Sequence, residues 1–313
     1  MKKILKILTI LIIPLMMFIT IIELNRDSIS YYTNKNKLYS FFVFSVGNGL
    51  FTLIKQDDKS IIFDCGVGIG SNDNRNEFPV NQLSQIGIKT IETVFISHYH
   101  YDHYSSLLSL LKKYNIKNIG LPVNRKYKDI LPKNNHLNLL DYQENYSFMG
   151  LKIFNLTYYS KDFFQIKHTD QNDYSAVFLV TMGNQKILMT FDSLDEELRN
   201  NYYLNSMKNK MHVDIFMAAH HGSDNSSSEL LSKHFNYSTV IISGTNNYGK
   251  WKKYSGHHYF PGERSYELFK NKNVYLTGDD NREYTKKNYS YEFSLFNNGA
   301  TKLYSYNNKI IDY

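Results

Sequence analysis

The chain has 313 residues, of which 42% are hydrophobic and 15% aromatic, enough apolar material for a sizeable core and too aromatic for a disordered polypeptide. A single cysteine, Cys65, excludes both an internal disulfide framework and a cysteine-rich zinc site. The formal net charge is +7, but residues 1–26 carry Lys2, Lys3, Lys6 and Arg26 against only Glu23, so the remainder is mildly basic. That balance is compatible with an anionic ligand or surface and is no signature of a nucleic-acid binder by itself.

In chain order, residues 1–26 come first. Ile4 to Ile22 is nearly all apolar and follows Lys2-Lys3, and its length just suffices to cross about 30 Å of hydrocarbon as a helix. The basic flank on the amino side predicts that this end stays inside. No small-residue cleavage site follows, so the segment reads as an uncleaved signal anchor first and a cleaved signal peptide second. The domain is then expected outside the cell membrane, tethered or secreted. Residues 27–37 read as a polar tether and 38–313 as one domain. Strands are predicted at 41–46, 49–55, 60–64, 90–97, 174–181, 185–191, 213–219 and 239–243, and helices at 82–87, 104–114, 230–234 and 264–270. Alternating strands and helices predict a layered α/β domain.

The densest chemistry is Ser97-His98-Tyr99-His100-Tyr101-Asp102-His103, directly after a predicted strand. Imidazoles two apart on an extended loop can converge on one cation, and a carboxylate and an imidazole one step further can face a second. Imidazole and carboxylate without thiolate suit zinc, iron or manganese.

This His-x-His-x-Asp-His order resembles the signature of the metallo-β-lactamase superfamily. Further motifs make it similar to the extracellular domain of the ComEC-like competence group and its stand-alone relatives. They are Val46-Gly47-Asn48-Gly49, Asp64-Cys65-Gly66, Asn172-Asp173-Tyr174-Ser175, Asp192 at a strand end, His220-His221-Gly222-Ser223, and the late His257-His258…Pro261 and Thr277-Gly278-Asp279-Asp280 stretches. The resemblance covers about residues 39–282. It implies a four-layer αβ/βα sandwich with two divalent metals, zinc first and manganese or iron as alternatives. By the same resemblance His98 and His100 hold the first metal, Asp102 and His103 the second, Asp192 bridges them, and either His220 or His221 completes the second site. The implied activity is an exported hydrolase that cleaves a phosphodiester by metal-bound hydroxide, with Asp102, His257 and His258 as the other residues of the reaction. One of the last two could bind a phosphate or donate a proton. The anionic substrate is a teichoic-acid-like polymer or DNA; a nuclease in DNA uptake and a non-catalytic envelope-binding protein are the rival functions.

Secondary expectations concern the surroundings. His168 could reach the first metal, since the group's turn at Asn172 lacks the histidine found in many two-metal members. Asp64 is expected to hydrogen-bond a ligand histidine, with Cys65 supporting the site from behind. Ser223 and Asn225 either cradle an oxyanion or cap a helix. Lys250-Trp251-Lys252-Lys253 could meet a polyanion or a membrane surface.

Overall fold

The computed structural model describes residues 37–68, 73–122, 131, 137–160, 172, 175–244, 261–278, 289–296 and 299–307. Residues 1–36 lie outside that set, so the signal segment is not described; among the described residues no helix is long and apolar enough to cross a membrane. His168, Lys250–Lys253, His257 and His258 also lie outside it.

Runs such as Ser60–Phe63 and Lys186–Met189 are apolar on both faces, and this is why they become central strands. Ile61 and Phe63 turn one way while Ile62 turns the other, and Ile187 and Met189 oppose Leu188. One sheet contains β1 (Lys37–Val43), β2 (Phe51–Gln56), β3 (Lys59–Cys65), β4 (Thr90–Phe95), β5 (Ile116–Gly120), β6 (Asn138–Leu140), β16 (Tyr289–Phe296) and β17 (Thr301–Asn307). Its order is β17-β16-β1-β2-β3-β4-β5-β6. The second contains β7 (Asn145–Phe148), β8 (Leu151–Asn155), β9 (Phe178–Met182), β10 (Gln185–Met189), β12 (Ile215–Met217), β14 (Thr239–Ile242) and β15 (Asn273–Leu276). It runs β15-β14-β12-β10-β9-β8-β7, and a short pair, β11 (Met211–His212) with β13 (Phe235–Asn236), stands apart. In each sheet an antiparallel part adjoins a parallel part, and helical crossovers join β3 to β4, β4 to β5, β10 to β12, β12 to β14 and β14 to β15. The first sheet uses α1 (Asp73–Gln85), α2 (Tyr101–Tyr104) and α3 (Leu107–Lys113). After β10 come α4 (Asp195–Leu198) and α5 (Tyr202–Ser206), then α6 (Ser228–Ser232) and α7 (Glu263–Phe269).

Three apolar clusters give the layer order. Phe41, Ile61, Phe63 and Phe95 of the first sheet meet Ile153, Phe178, Val180 and Ile187 of the second. Val80, Leu83, Leu107 and Leu110 of α1 and α3 cover the outer face of the first sheet over Phe42, Leu53 and Ile62. Leu204, Leu231 and Phe269 cover the second over Leu188, Phe216 and Val240. The arrangement is helix, sheet, sheet, helix, the αβ/βα order expected from the sequence.

Some elements differ from expectation. The predicted helix 82–87 is the end of a 13-residue helix whose polar start, with Pro79 inside, hides its period. The predicted helix 104–114 is two, α2 and α3, divided where Ser106 N–H turns away to Cys65 O at 2.9 Å. Strands β5 to β8 and β15 to β17 were not predicted. In β16, Ser290, Glu292 and Ser294 alternate with Tyr291, Phe293 and Leu295, so the polar half of the pattern is buried. Glu292 accepts from the Ser40 and Tyr306 hydroxyls at 2.7 and 2.6 Å, which offsets the cost of its burial.

Candidate metal centre

The His-rich run leaves the end of β4 and lies across the ends of β2 and β3. Leu50 N–H donates to Asp102 O at 3.0 Å, and Gly66 N–H to Leu50 O at 2.8 Å. A Cβ on Gly66 would lie 1.9 Å from Asp102 O and 2.2 Å from His103 N, and one on Gly49 would lie 2.9 Å from Asp102 O. The glycines of the Val-Gly-x-Gly and Asp-x-Gly turns thus let the ligand-bearing backbone sit directly on the sheet edge. Beneath it Phe63, Phe95, Phe178 and Phe191 form an aromatic floor, with ring centroids 5.3–6.2 Å apart. Phe63 and Phe191 immediately precede Asp64 and Asp192 in the chain.

Among the described residues three groups have potential ligand atoms that all lie within 4.8 Å of one another: the triads His98, His100 and Asp192, and Asp102, His103 and His221, and a third group of Asp64, His98 and His103, in which Asp64 is already engaged by His103 Nδ1 and the Ser97 hydroxyl. His98 Nε2 is 3.1 Å from His100 Nδ1. Asp192 stands between the triads. Its Oδ1 is 3.2 Å from His103 Nε2, and its Oδ2 is 3.8 Å from His98 Nε2 and 3.6 Å from His221 Nε2. His221 Nε2 is also 3.6 Å from Asp102 Oδ2. Of the histidine pair left open by the sequence, His221 enters a triad and His220 enters none among the described residues. The His221 ring is held by its Nδ1, which donates to Ser243 O at 2.7 Å. His220 Nε2 lies 3.7 Å from Asp192 Oδ2, on the side of Asn172.

Outer partners fix the rings. His103 Nδ1 is 2.6 Å from Asp64 Oδ2, and Asp64 also accepts from Ser97 N–H at 2.7 Å and from the Ser97 hydroxyl at 2.6 Å. Asp64 therefore holds a ligand-position histidine, as its sequence context suggests. Cys65 is buried, and burial, reinforced by Asp64, pushes its thiol well above the usual range, which fits a packing role and no redox role. The Ser223 hydroxyl donates to Asn225 Oδ1 at 2.7 Å, closing that turn on itself. Ser97 and Ser243 went unremarked in the sequence. The serine directly before His98 was a usable signal for the first, while Ser243 reaches the site only through the fold.

Charge is concentrated here. Burial resists ionisation of Asp192, but the His103, His221 and His220 rings outweigh it and hold the carboxyl well below the usual range. For Asp102 burial is likewise outweighed, by His221 and His103, and its value falls to about 2. Burial disfavours the His103 cation, yet Asp192 and Asp64 raise it well above an ordinary histidine; His221 is raised in the same way by Asp192 and Asp102. Burial pushes His98 well down and His220 down. Carboxylates paired with imidazoles at these distances are what a divalent cation would replace. Among the described residues, buried His103 Nε2 has no well-formed hydrogen bond and has Asp192 Oδ1 at 3.2 Å, so the donor set fits nitrogen- and oxygen-ligated metals.

The backbone is strained at the same place. Asp64, Phe191, His220 and His221 all have positive φ, between 46° and 54°, and Gly222 continues the left-handed turn at 78°.

Comparisons with known proteins follow the same lines. Residues 45–135 match the family model described as the metallo-beta-lactamase superfamily, a stretch that includes Asp64 and the whole His98–His103 run. The chain is 26% identical over 219 residues to recombination protein 2 of Haemophilus influenzae, covering 70% of this chain and 25% of that protein. It is 23% identical over 218 residues to the uncharacterised protein YcaI of Escherichia coli, covering 68% and 26%. The chain thus spans about a quarter of the length of these curated relatives. Among solved structures, the metallo-beta-lactamase fold protein YhfI of Bacillus subtilis is similar with a TM-score of 0.48 and 12% identity, over 76% of this chain and 97% of that one. The superfamily resemblance read from the motifs, and its ComEC-like character, are borne out.

Proposed function

Because this chain carries a metallo-β-lactamase superfamily domain, we propose that it is a metal-dependent hydrolase of phosphodiesters, acting on an anionic polymer outside the cell. The observation that carries the reading is Asp192 standing between two triads of nitrogen and oxygen donors. His98, His100 and Asp192, and Asp102, His103 and His221, would each hold a divalent cation, which when bound would supply Lewis acidity to lower the pKa of water and offset charge on substrate oxygens. Zinc suits these donors, as do manganese and iron.

The chain's own residues orient and open the site. Asp64 and the Ser243 carbonyl each accept a hydrogen bond from the Nδ1–H of a ring, leaving the Nε2 of His103 and His221 directed inward. Asp102 is one-third exposed while His98, His103 and Asp192 are buried, so substrate reaches the centre from the Asp102 side. His220, beside Asp192 and partly exposed, is placed to touch a substrate. The likeness to a recombination protein favours DNA as one polymer to test, with a teichoic-acid-like polymer as the other. The apolar run Ile4–Ile22 would anchor the enzyme where either polymer is met.

The test is to purify the full chain in mild detergent, measure bound metal by elemental analysis, and assay bis-(p-nitrophenyl) phosphate beside Asp192→Ala. We expect near two equivalents of metal and a loss of turnover of about a hundredfold or more in the variant, since removing a ligand costs more than removing its outer partner. A wild-type protein that takes up no metal after reconstitution and turns nothing over would overturn the reading and leave a binding protein.

A further inference from the structure

Asp64, Ser97, His98 and His103 are all fully buried, so no bulk water competes for their hydrogen bonds. The Ser97 hydroxyl has one proton and two neighbours: Asp64 Oδ2 at 2.6 Å and His98 Nδ1 at 3.0 Å. A carboxylate only accepts, so the hydroxyl proton points at Asp64. A lone pair of Ser97 Oγ is then left toward His98, and His98 Nδ1 must carry the proton between them. With Nδ1 protonated, the acceptor nitrogen of His98 is Nε2, the atom that faces His100 and Asp192. The reverse assignment would set lone pairs of Ser97 and Asp64 against each other at 2.6 Å. His103 meets the same carboxylate oxygen directly, through its own Nδ1 at 2.6 Å.

We propose that Asp64 fixes the tautomer of one imidazole in each triad, His103 directly and His98 through the Ser97 hydroxyl, making Ser97 a positioning residue for the first metal. This rests on the metal-centre reading above. Two metal positions share one anchor but reach it by paths of different length. Ser97 can therefore be altered at one position alone, whereas Asp64 cannot.

The experiment compares wild type with Ser97→Ala, Ser97→Thr and Asp64→Asn in the full chain, titrating zinc alone by calorimetry and counting bound metal after dialysis. Ser97→Ala keeps its backbone N–H bond to Asp64 Oδ1 at 2.7 Å, so the loop retains one tie. We expect Ser97→Ala to weaken one of two zinc sites by about 10–100-fold, the range for loss of an outer partner, while the other stays within twofold. Ser97→Thr should restore the weakened site, and Asp64→Asn should weaken both. Nitrogen-15 spectra of the metal-free protein give a readout that loss of packing would not produce: His98 protonated at Nδ1 in wild type and Ser97→Thr, and shifted toward Nε2 in Ser97→Ala. Two unchanged zinc sites in Ser97→Ala, or equal weakening of both, would overturn the inference. Wild-type protein that binds no zinc would instead overturn the metal-centre reading itself.

Discussion

Among the described residues, four of the six non-glycine residues with positive φ lie at the candidate centre; the others, Asp57 and Met149, sit in turns between strands. A left-handed conformation costs a residue with a Cβ roughly 1–2 kcal/mol, so the centre is held by the surrounding packing against local preference. His220 and His221 show what this strain achieves. Successive left-handed residues send one ring to Asp102 and Asp192, where Ser243 holds it, and set the other beside Asp192 and Asn172. Because His220 belongs to neither triad, its roles in stability and in turnover are separable. His220→Gly should raise the stability of the metal-free protein by about 0.5–1 kcal/mol, through relief at a left-handed site, while metal stoichiometry is unchanged. Turnover on the phosphodiester should fall at least about tenfold, a barrier increase of roughly 1.4 kcal/mol. Thermal unfolding, elemental analysis and the nitrophenyl assay check the three parts. A variant that loses one metal equivalent would place His220 among the ligands.

At the scale of elements, the site is a junction of strand ends held together by short-range contacts. The first sheet brings Gly49 and Gly66 under α2, and the aromatic floor fixes the ends of β3, β4 and β10 beneath Asp64, Ser97 and Asp192. Gly66→Ala places a Cβ within 2.2 Å of three backbone atoms of Asp102 and His103, none of which can move aside as a side-chain tip could. We expect a loss of about 3 kcal/mol or more, at the upper end for overpacking, together with weaker zinc binding at the group formed by Asp102, His103 and His221. Urea unfolding with and without zinc measures both; a variant as stable as wild type would show that α2 can lift off the sheet freely. This junction was legible in the sequence because its residues bunch at strand ends: the His98–His103 run, Asp64-Cys65-Gly66 and Asp192 each follow a clear apolar stretch. The central strands β2, β3, β9 and β10 were legible for the same reason. The strands toward the sheet edges were not, because β5, β8 and β15 are short and half polar, and β16 buries Ser290 and Glu292 through partners that only the fold supplies, the Ser45 N–H for the first and the Ser40 and Tyr306 hydroxyls for the second. Nor could sequence choose between His220 and His221, since the choice depends on a left-handed turn and on a carbonyl from β14's far end.

For the molecule as a whole, the centre is a cluster of opposed charges at the seam of two sheets, so folding stability must depend on pH and on metal together. In the metal-free protein His103 and His221 are raised above their unfolded value of about 6.5, so the folded state binds more protons than the unfolded one above that pH. The stability they contribute is present below about 6.5 and is lost as pH rises through their folded values. His98 and His220 are lowered, so the unfolded state binds more protons below about 6.5 and stability falls as pH drops. Asp102, at about 2, and Asp192, lower than usual, add a further acid loss as pH falls from about 4 toward their folded values. The imidazole, Asp102 and Asp192 shifts set a maximum near pH 6.5 for the metal-free protein, with a decline on both sides, while Asp64, raised by burial, opposes the acid loss because its contribution is lost as pH rises from about 4 through its folded value. A divalent cation bound at His103 and His221 would take the place of protons there, which would remove the alkaline decline, and it would compete with protons on the acid side. The melting temperature gained on adding zinc should therefore be small at pH 5 and grow steadily to pH 8, and a chelator should abolish it. At free zinc a hundred times the dissociation constant, a single site adds about 2.7 kcal/mol by mass action. A metal-free melting temperature that is flat from pH 6 to 8, or a zinc increment that shrinks as pH rises, would show that the charges at this seam are not coupled in folding as their spacing requires.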